Sequence, residues 1–415
     1  MVSSPGPEPA SAEWLALLPD GPTKRQFIID CTGCHQFDSR MARRLGRTRT
    51  HSEWASAIDR MLGFAGPASG FPVISAAQRP ESTAAWLTAS LAGGVPEMRN
   101  ATPHPGITEY LFPAAQDLPH DLAIDSAGQI IVTGMFSGAM YLLDPASGHF
   151  STVEIPIPNA NPRAVEVDAE GRWWVVLGGP QQVARYGGGR WEFFDVGMYA
   201  HSVALDSGGG VWVNGHFTRA PELIASVDAA GTIRKVPLPA HPGMSQVPGG
   251  PIPYELRTAP NGAVWMSELQ GNRMIRYDPS ARTSTIFELP TAASGPRRFD
   301  IGPDGIVWIP GYGSGRLVRL DPASGKFTEV ALPVRDAAPY IARVDPVDGG
   351  IWIGTGAADA LFRYEPGSGA FEVFDLPTRG ALVRHLAVDP RNRDVWLAYG
   401  ESPGKASARV ARLRR

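Results

Sequence analysis

A mainly β chain, a seven-bladed β-propeller preceded by a small all-α region, is the fold class the sequence predicts, and three observations predict it. One unit recurs seven times between residues 107 and 415: a short strand ending near Asp, a turn with Gly, a strand opening with Trp, then Arg-Leu-Asp-Pro-like and Glu-Val-x-Leu-Pro-like segments. Gly (47) and Pro (39) fall between short apolar runs at regular intervals, the mark of many tight turns. From Thr23 to about Ala92 the apolar spacing is instead that of helices.

In chain order, residues 1–20 are rich in Pro, Ser and Ala and read as a flexible arm. Within 21–92 the clearest helices are Ser52 to Phe64, with Trp54, Ile58, Met61 and Leu62 on one stripe, and Pro80 to Leu91, with Ala84, Leu87 and Leu91. Residues 93–106 hold three prolines and little periodicity, so a linker is expected there. The propeller fills 107–415. Its innermost strands begin at His120, Arg163, His201, Tyr254, Arg297, Tyr340 and Arg384, spaced by 43, 38, 53, 43, 43 and 44 residues. The second strands carry Ile131, Trp174, Trp212, Trp265, Trp308, Trp352 and Trp396 in register, and an aromatic at that place packs between adjacent sheets. The last unit supplies only three strands, while Ile107 to Phe112 resembles the fourth strand of other units, such as Phe371 to Leu376. An N-terminal strand completing the last blade would remove the open sheet edge.

Composition narrows the function. Lys plus Arg (38) nearly balances Asp plus Glu (41), which argues against a nucleic-acid partner. No apolar run reaches the roughly 18 to 20 residues needed to span a bilayer. The opening residues carry no export signal, so if the chain is exported it is expected to begin after a removed one.

Both cysteines lie in Cys31-Thr32-Gly33-Cys34-His35. That spacing is the c-type haem attachment pattern: two thiols form thioethers with the vinyl groups and the adjacent His ligates iron. A redox dithiol or half a zinc site is the alternative, but zinc needs further ligands and there is no third cysteine. The expectation is a cytochrome c-like domain over 21–92. The stretch Leu62 to Pro80 holds neither Met nor His, so the sixth iron ligand is expected to be Met61, with Met41, His51, Met98 and His104 in reserve. Trp54-Ala-Ser-Ala-Ile-Asp-Arg-Met61 resembles the Trp-to-Met segment of haem domains in quinohaemoproteins. Packing in a helical core is the plain alternative role for Met61.

Antiparallel neighbours place the start of each innermost strand beside the end of the second. Hairpin counting then sets Tyr254 opposite Glu268, His120 opposite Gly134, His201 opposite Gly215 and Arg297 opposite Gly311, and only Glu268 brings a carboxylate to that level. His120, Asp121, Arg163, His201, Tyr254, Glu255, Arg297, Arg298, Tyr340, Arg384 and His385 are expected to crowd one mouth of the channel. Convergent ionisable groups in a concavity mark a site, although such residues also line channels that hold only water. The fourth blade starts late, and the extra segment His241 to Pro253 is expected over this mouth as a lid or docking surface.

The repeats Gly302-Pro-Asp-Gly-Ile-Val-Trp308 and Pro260-Asn-Gly-Ala-Val-Trp-Met-Ser-Glu268 resemble the virginiamycin B lyase (streptogramin lyase) family. The resemblance implies elimination with magnesium held by carboxylates and a catalytic His at the mouth, which here would be Glu268 and His201. Tyr254 stands where a second His is looked for. The favoured expectation is a periplasmic haem c protein in electron transfer or haem-dependent oxidoreduction. Its propeller would bind a small-molecule substrate or a redox partner protein through His201, Tyr254, Glu268 and Arg297. A magnesium-dependent lyase, and a binding propeller with a haem sensor, are the alternatives.

Overall fold

A computed structural model describes residues 8–114, 116–247, 249–401 and 408–415. Seven four-stranded antiparallel sheets stand in chain order around a channel. Blade 4 shows the pattern: Pro253–Thr258 is innermost, followed outward by Val264–Glu268, Arg273–Asp278 and Thr283–Glu288. Blade 7 is closed as expected: Ile107–Leu111 pairs antiparallel with Arg409–Leu413, Ile107 opposite Leu413. The ring of tryptophans is buried between blades, Trp174, Trp352 and Trp396 almost completely. Several stack on an aromatic of the fourth strand, as Trp265 does on Phe287 (5.3 Å) and Trp396 on Tyr110 (5.8 Å).

The innermost strands carry a feature absent from the hairpin count. Deep in each strand the expected pairing holds, for example Leu256 with Met266, but at the mouth Pro253 and not Tyr254 opposes Glu268. The same one-residue shift occurs in blades 1, 2, 3, 6 and 7, and in blade 5 Pro296 bridges Gly311. A bulge adds one residue to one strand and re-aims side chains. Repeated around the ring, it turns one residue of every blade toward the mouth and sends the next one deeper.

Before the propeller, the described residues form five short helices: α1 (Ser11–Ala16), α2 (Pro22–Cys31), α3 (Ser39–Ala42), α4 (His51–Ala65) and α5 (Pro80–Ser90). Local chemistry accounts for two of them. Pro22 opens α2 and the Thr32 hydroxyl closes it by donating to the Ile28 carbonyl (2.8 Å). α4 starts with a reciprocal capping box between Thr50 and Glu53.

Three expectations need correction here. The arm does not hang free over its described part: Trp14, Leu15 and Leu18 of the first 20 residues are buried, and the Ala12 amide donates to the Ala357 carbonyl (2.8 Å). Each such side chain contributes about 1.5–3 kcal/mol on burial, which holds the segment down. The helices do not form a separate all-α body either. Phe27, Ile28, Phe37, Trp54, Ile58, Leu87 and Leu91 share one continuous core with Tyr254, Leu269, Trp308, Tyr312 and Tyr340 of the propeller. Residues 93–106 run along blade 6, where the His104 amide donates to the Asp375 carbonyl (2.9 Å) and Arg99 pairs with the Asp375 carboxylate (2.6 Å). No helix among the described residues is long and apolar enough to cross a membrane.

Candidate functional site

The seven bulge residues, His120, Arg163, His201, Tyr254, Arg297, Tyr340 and Arg384, line one cavity of about 250 Å³. Its opposite wall comes from the helical region: Ile29, Asp30, Gly33 and Cys34, then Phe64, Phe71 and Val73. The Cys31–His35 segment therefore sits on the propeller mouth. Arg384 fixes it there by donating to the carbonyls of Gly33 (3.2 Å) and Cys34 (2.7 Å). Tyr312 donates to the Thr32 carbonyl (2.8 Å). The approach at Gly33 is close, since a Cβ on it would lie 2.4 Å from Arg297 Nη2 and the guanidinium would have to shift.

Asp30 ties the rest of the wall together. Its carboxylate accepts from the Ser75 amide (3.0 Å) and hydroxyl (2.8 Å), from Gln78 (2.8 Å) and from Gln270 of blade 4 (2.8 Å). The Cys31 thiol is raised well above its ordinary value by burial, with Asp30 and Cys34 adding to the effect. A reactive dithiol needs the opposite shift. His35 has Nδ1 3.1 Å from the Gln36 carbonyl, and a proton donated there leaves Nε2 as an acceptor.

Three imidazoles gather on one side. His201 stacks on His216 (4.4 Å between centroids) and meets His120 edge-on (5.3 Å). Each Nδ1 reaches a backbone carbonyl of the following blade: His120 that of Arg163 (2.7 Å), His201 that of Tyr254 (2.9 Å) and His216 that of Pro253 (2.9 Å). The protons on Nδ1 leave three Nε2 atoms as acceptors. Burial, joined by Arg163 and other nearby cations, holds all three below the ordinary histidine value, His216 at about 3, so they are neutral at pH 7.

The other side is basic and aromatic. Arg297 lies among the rings of Tyr312 (4.1 Å), Tyr340 (4.6 Å) and Tyr254 (4.9 Å) and donates to the Tyr254 hydroxyl (2.6 Å). The Tyr254 and Tyr340 hydroxyls are in hydrogen-bond contact. Burial alone would raise both phenols. It does so for Tyr254, whereas Arg297, Arg384 and Arg298 outweigh it at Tyr340 and bring that phenol down to about 8.

The second residues of the bulges make a separate layer below the cavity. Asp121 pairs with Arg298 (3.0 Å) and His385 (2.9 Å), and Glu255 pairs with Arg343 (3.0 Å). Burial would raise Asp121, but His385 and Arg298 hold it at about 2. Asp121, Glu255, Arg298 and His385 were expected at the mouth and instead form this layer of buried ion pairs and hydrogen bonds, in which burial holds His385 down at about 4.

Of the four residues expected to act together, His201, Tyr254 and Arg297 share the cavity and Glu268 does not. Glu268 is fully buried and gripped by Arg273 through both oxygens (2.6 and 3.0 Å), with Glu222 on the same arginine (3.6 Å). The bulge explains the difference, because it moves Tyr254 off the level of Glu268. Segment His241 to Pro253, in which Pro248 lies outside the described residues, contributes none of its described residues to the cavity wall. It buttresses the rim of blades 3 and 4, with Ser245 donating to Glu222 (2.6 Å) and His241 Nε2 3.1 Å from the Gly271 carbonyl. Met61 is 37% exposed on α4, three residues before the cavity-lining Phe64. Met61, Met41, His51, Met98 and His104 all lie off the cavity wall.

Met135, His216, Leu269 and Tyr312 belong to the site and were not anticipated. Each is the residue immediately after a second strand, following Gly134, Gly215, Glu268 and Gly311. Extending the hairpin count by one position would have found them.

A model of the virginiamycin B lyase family matches residues 244–410, under half of the chain. No curated protein sequence matches it. Among solved structures, a streptogramin B lyase is similar at 18% identity (TM-score 0.64; 74% of this chain, 96% of the other). The virginiamycin B lyase of Staphylococcus aureus is similar at 18% identity (TM-score 0.65; 74% and 99%), and Kuenenia stuttgartiensis hydrazine synthase at 12% (TM-score 0.56; 73% and 98%). At these identities the likeness is one of fold.

Proposed function

We propose that this protein is a c-type haem protein in which haem, held by Cys31, Cys34 and His35, serves electron transfer or oxidoreduction of a molecule bound at the propeller mouth. The observation that carries the reading is position. Gly33 and Cys34 of the attachment motif line the same cavity as the seven mouth residues, and Arg384 and Tyr312 fasten the segment there through the Cys34 and Thr32 carbonyls. The donor set fits the group: two thiols, one imidazole whose Nδ1 lies by the Gln36 carbonyl, and an apolar wall of Ile29, Phe64, Phe71 and Val73. Bound haem would supply one-electron chemistry, with the thioether of Met61 as our choice of sixth ligand. The residues of the chain would exclude water, orient the ligand through Arg297 and Tyr254, and accept a proton at His201 Nε2. Covalent attachment would call for an exported setting such as the periplasm.

Mass spectrometry of protein made with haem-maturation machinery tests the reading, and a mass without haem from cells with working maturation overturns it. Met61→Ala should abolish a sulfur-to-iron charge-transfer band in the oxidised protein and lower the potential. If Met135→Ala does so and Met61→Ala does not, the ligand is Met135.

A second reading, lyase activity, is favoured by the family match and by three neutral imidazoles with free Nε2 atoms, which suit proton abstraction. Magnesium does not fit it at Glu268, whose oxygens are taken by Arg273. Among the described residues no group of three or more His, Cys, Asp or Glu is placed to hold a metal ion. Ring opening of virginiamycin B by the purified protein, with or without added magnesium, would move the conclusion to this reading.

A further inference from the structure

The arginines of the mouth differ from those just below it. Arg298, Arg343 and Arg257 each meet a carboxylate, from Asp121, Glu255 or Glu166. Arg163, Arg297 and Arg384 are each 96% buried, yet among the described residues none has a carboxylate partner. The residues outside the description include no Asp or Glu. Their contacts are weak or neutral: Arg163 on the Met135 thioether (3.0 Å), Arg297 on the Tyr254 hydroxyl (2.6 Å), and Arg384 on carbonyls and the Tyr340 hydroxyl (3.4 Å). The Nε atoms of Arg163 and Arg297 are buried without any hydrogen-bond partner. Three unmatched guanidiniums around one buried cavity are costly unless an anion joins them.

We propose that the mouth is a carboxylate-binding site, in which Arg163, Arg297 and Arg384 hold the oxygens of a ligand whose flat apolar body lies among Phe64, Phe71, Tyr199 and His201. The guanidinium fork matches carboxylate geometry, and the cavity of about 250 Å³ has rings and aliphatic chains for its walls. Arg163 itself lies over Phe71 (5.8 Å) and Tyr199 (5.5 Å), so charge and flat apolar surface occur side by side. The inference rests on the mouth being the binding site and does not require haem. Two sources share this chemistry: the propionates of haem attached at Cys31 and Cys34, or a free aromatic carboxylate.

Terephthalate, titrated calorimetrically into the full chain without haem, should bind, while its neutral diamide should not. Arg297→Gln and Arg163→Gln should each weaken binding by at least about tenfold, the loss expected for a hydrogen bond to a charged group. Removing an unmatched charge should leave the melting temperature of the ligand-free chain unchanged or higher, which separates this role from a structural one. Should Arg297→Gln fail to fold, Arg163→Gln alone carries the comparison. The same titration on haem-loaded protein identifies the source. Persistent binding points to a free carboxylate; loss of binding, with a shifted midpoint potential in Arg297→Gln, points to the propionates. The proposal is overturned if terephthalate does not bind the haem-free chain and neither substitution moves the haem potential, or if binding survives both substitutions unchanged. A mass without haem would sink the haem reading and leave this inference to the haem-free titration.

Discussion

At Glu268 two influences oppose each other: burial pushes the carboxyl up to about 7, while Arg273 pulls it down. An unfolded chain loses that proton near 4.5, so between pH 4.5 and 7 the folded form keeps a proton that the unfolded form has released. Stability therefore falls as pH rises through this window. Glu268→Gln should remove a fall on the order of 3 kcal/mol, read as the difference between urea denaturation curves of variant and parent across the window. A parallel pair of curves would show that Glu268 does not hold the proton. Residues of this kind mark the limit of reading by spacing. The seven mouth residues were legible as neighbours on one cavity, because they depend on position along a regular repeat. The partner that Glu268 meets depends on a one-residue bulge, and so does the sorting of Asp121, Glu255, Arg298 and His385 into a lower layer.

Among the elements, the blades were legible because their period is written in Trp, Gly and Asp at fixed places. The helices around Ser52–Phe64 and Pro80–Leu91 were found within two residues at each end. What the helices pack against was not legible, since apolar stripes say that a face is covered and not by what. The contact between α2 and blade 5 shows how closely the two are fitted. A Cβ at Gly313 would lie 2.5 Å from the Ala293 carbonyl, 2.9 Å from the Arg25 carbonyl and 2.9 Å from Ile29. Two of those atoms are backbone, so α2 must move. Gly313→Ala should cost about 1–3 kcal/mol in denaturation and speed proteolysis within residues 31–36. Gly243→Ala, with nothing within 4 Å, is the control and should stay within about 0.5 kcal/mol of the parent.

For the whole molecule, the shared core sets what can be separated. A chain cut to residues 107–415 keeps every blade strand but uncovers Tyr254, Leu269, Tyr312 and Tyr340, which the helices bury. Such an exposed apolar patch favours association. That fragment should bind a hydrophobic dye and elute as oligomers, whereas a dye-free monomer as stable as the full chain would show that helices and propeller are independent units. The closure of blade 7 also imposes an order of events. The Cys31–His35 motif precedes the propeller, but the arginine that clamps its carbonyls follows 351 residues after Gly33, and the strand that seals the ring ends at Leu413. Until blades 5 and 7 have formed, the segment lacks the seat that Tyr312 and Arg384 provide. Closure of the ring then fixes the segment against the mouth, so the last blade decides when residues 31–35 are held in place.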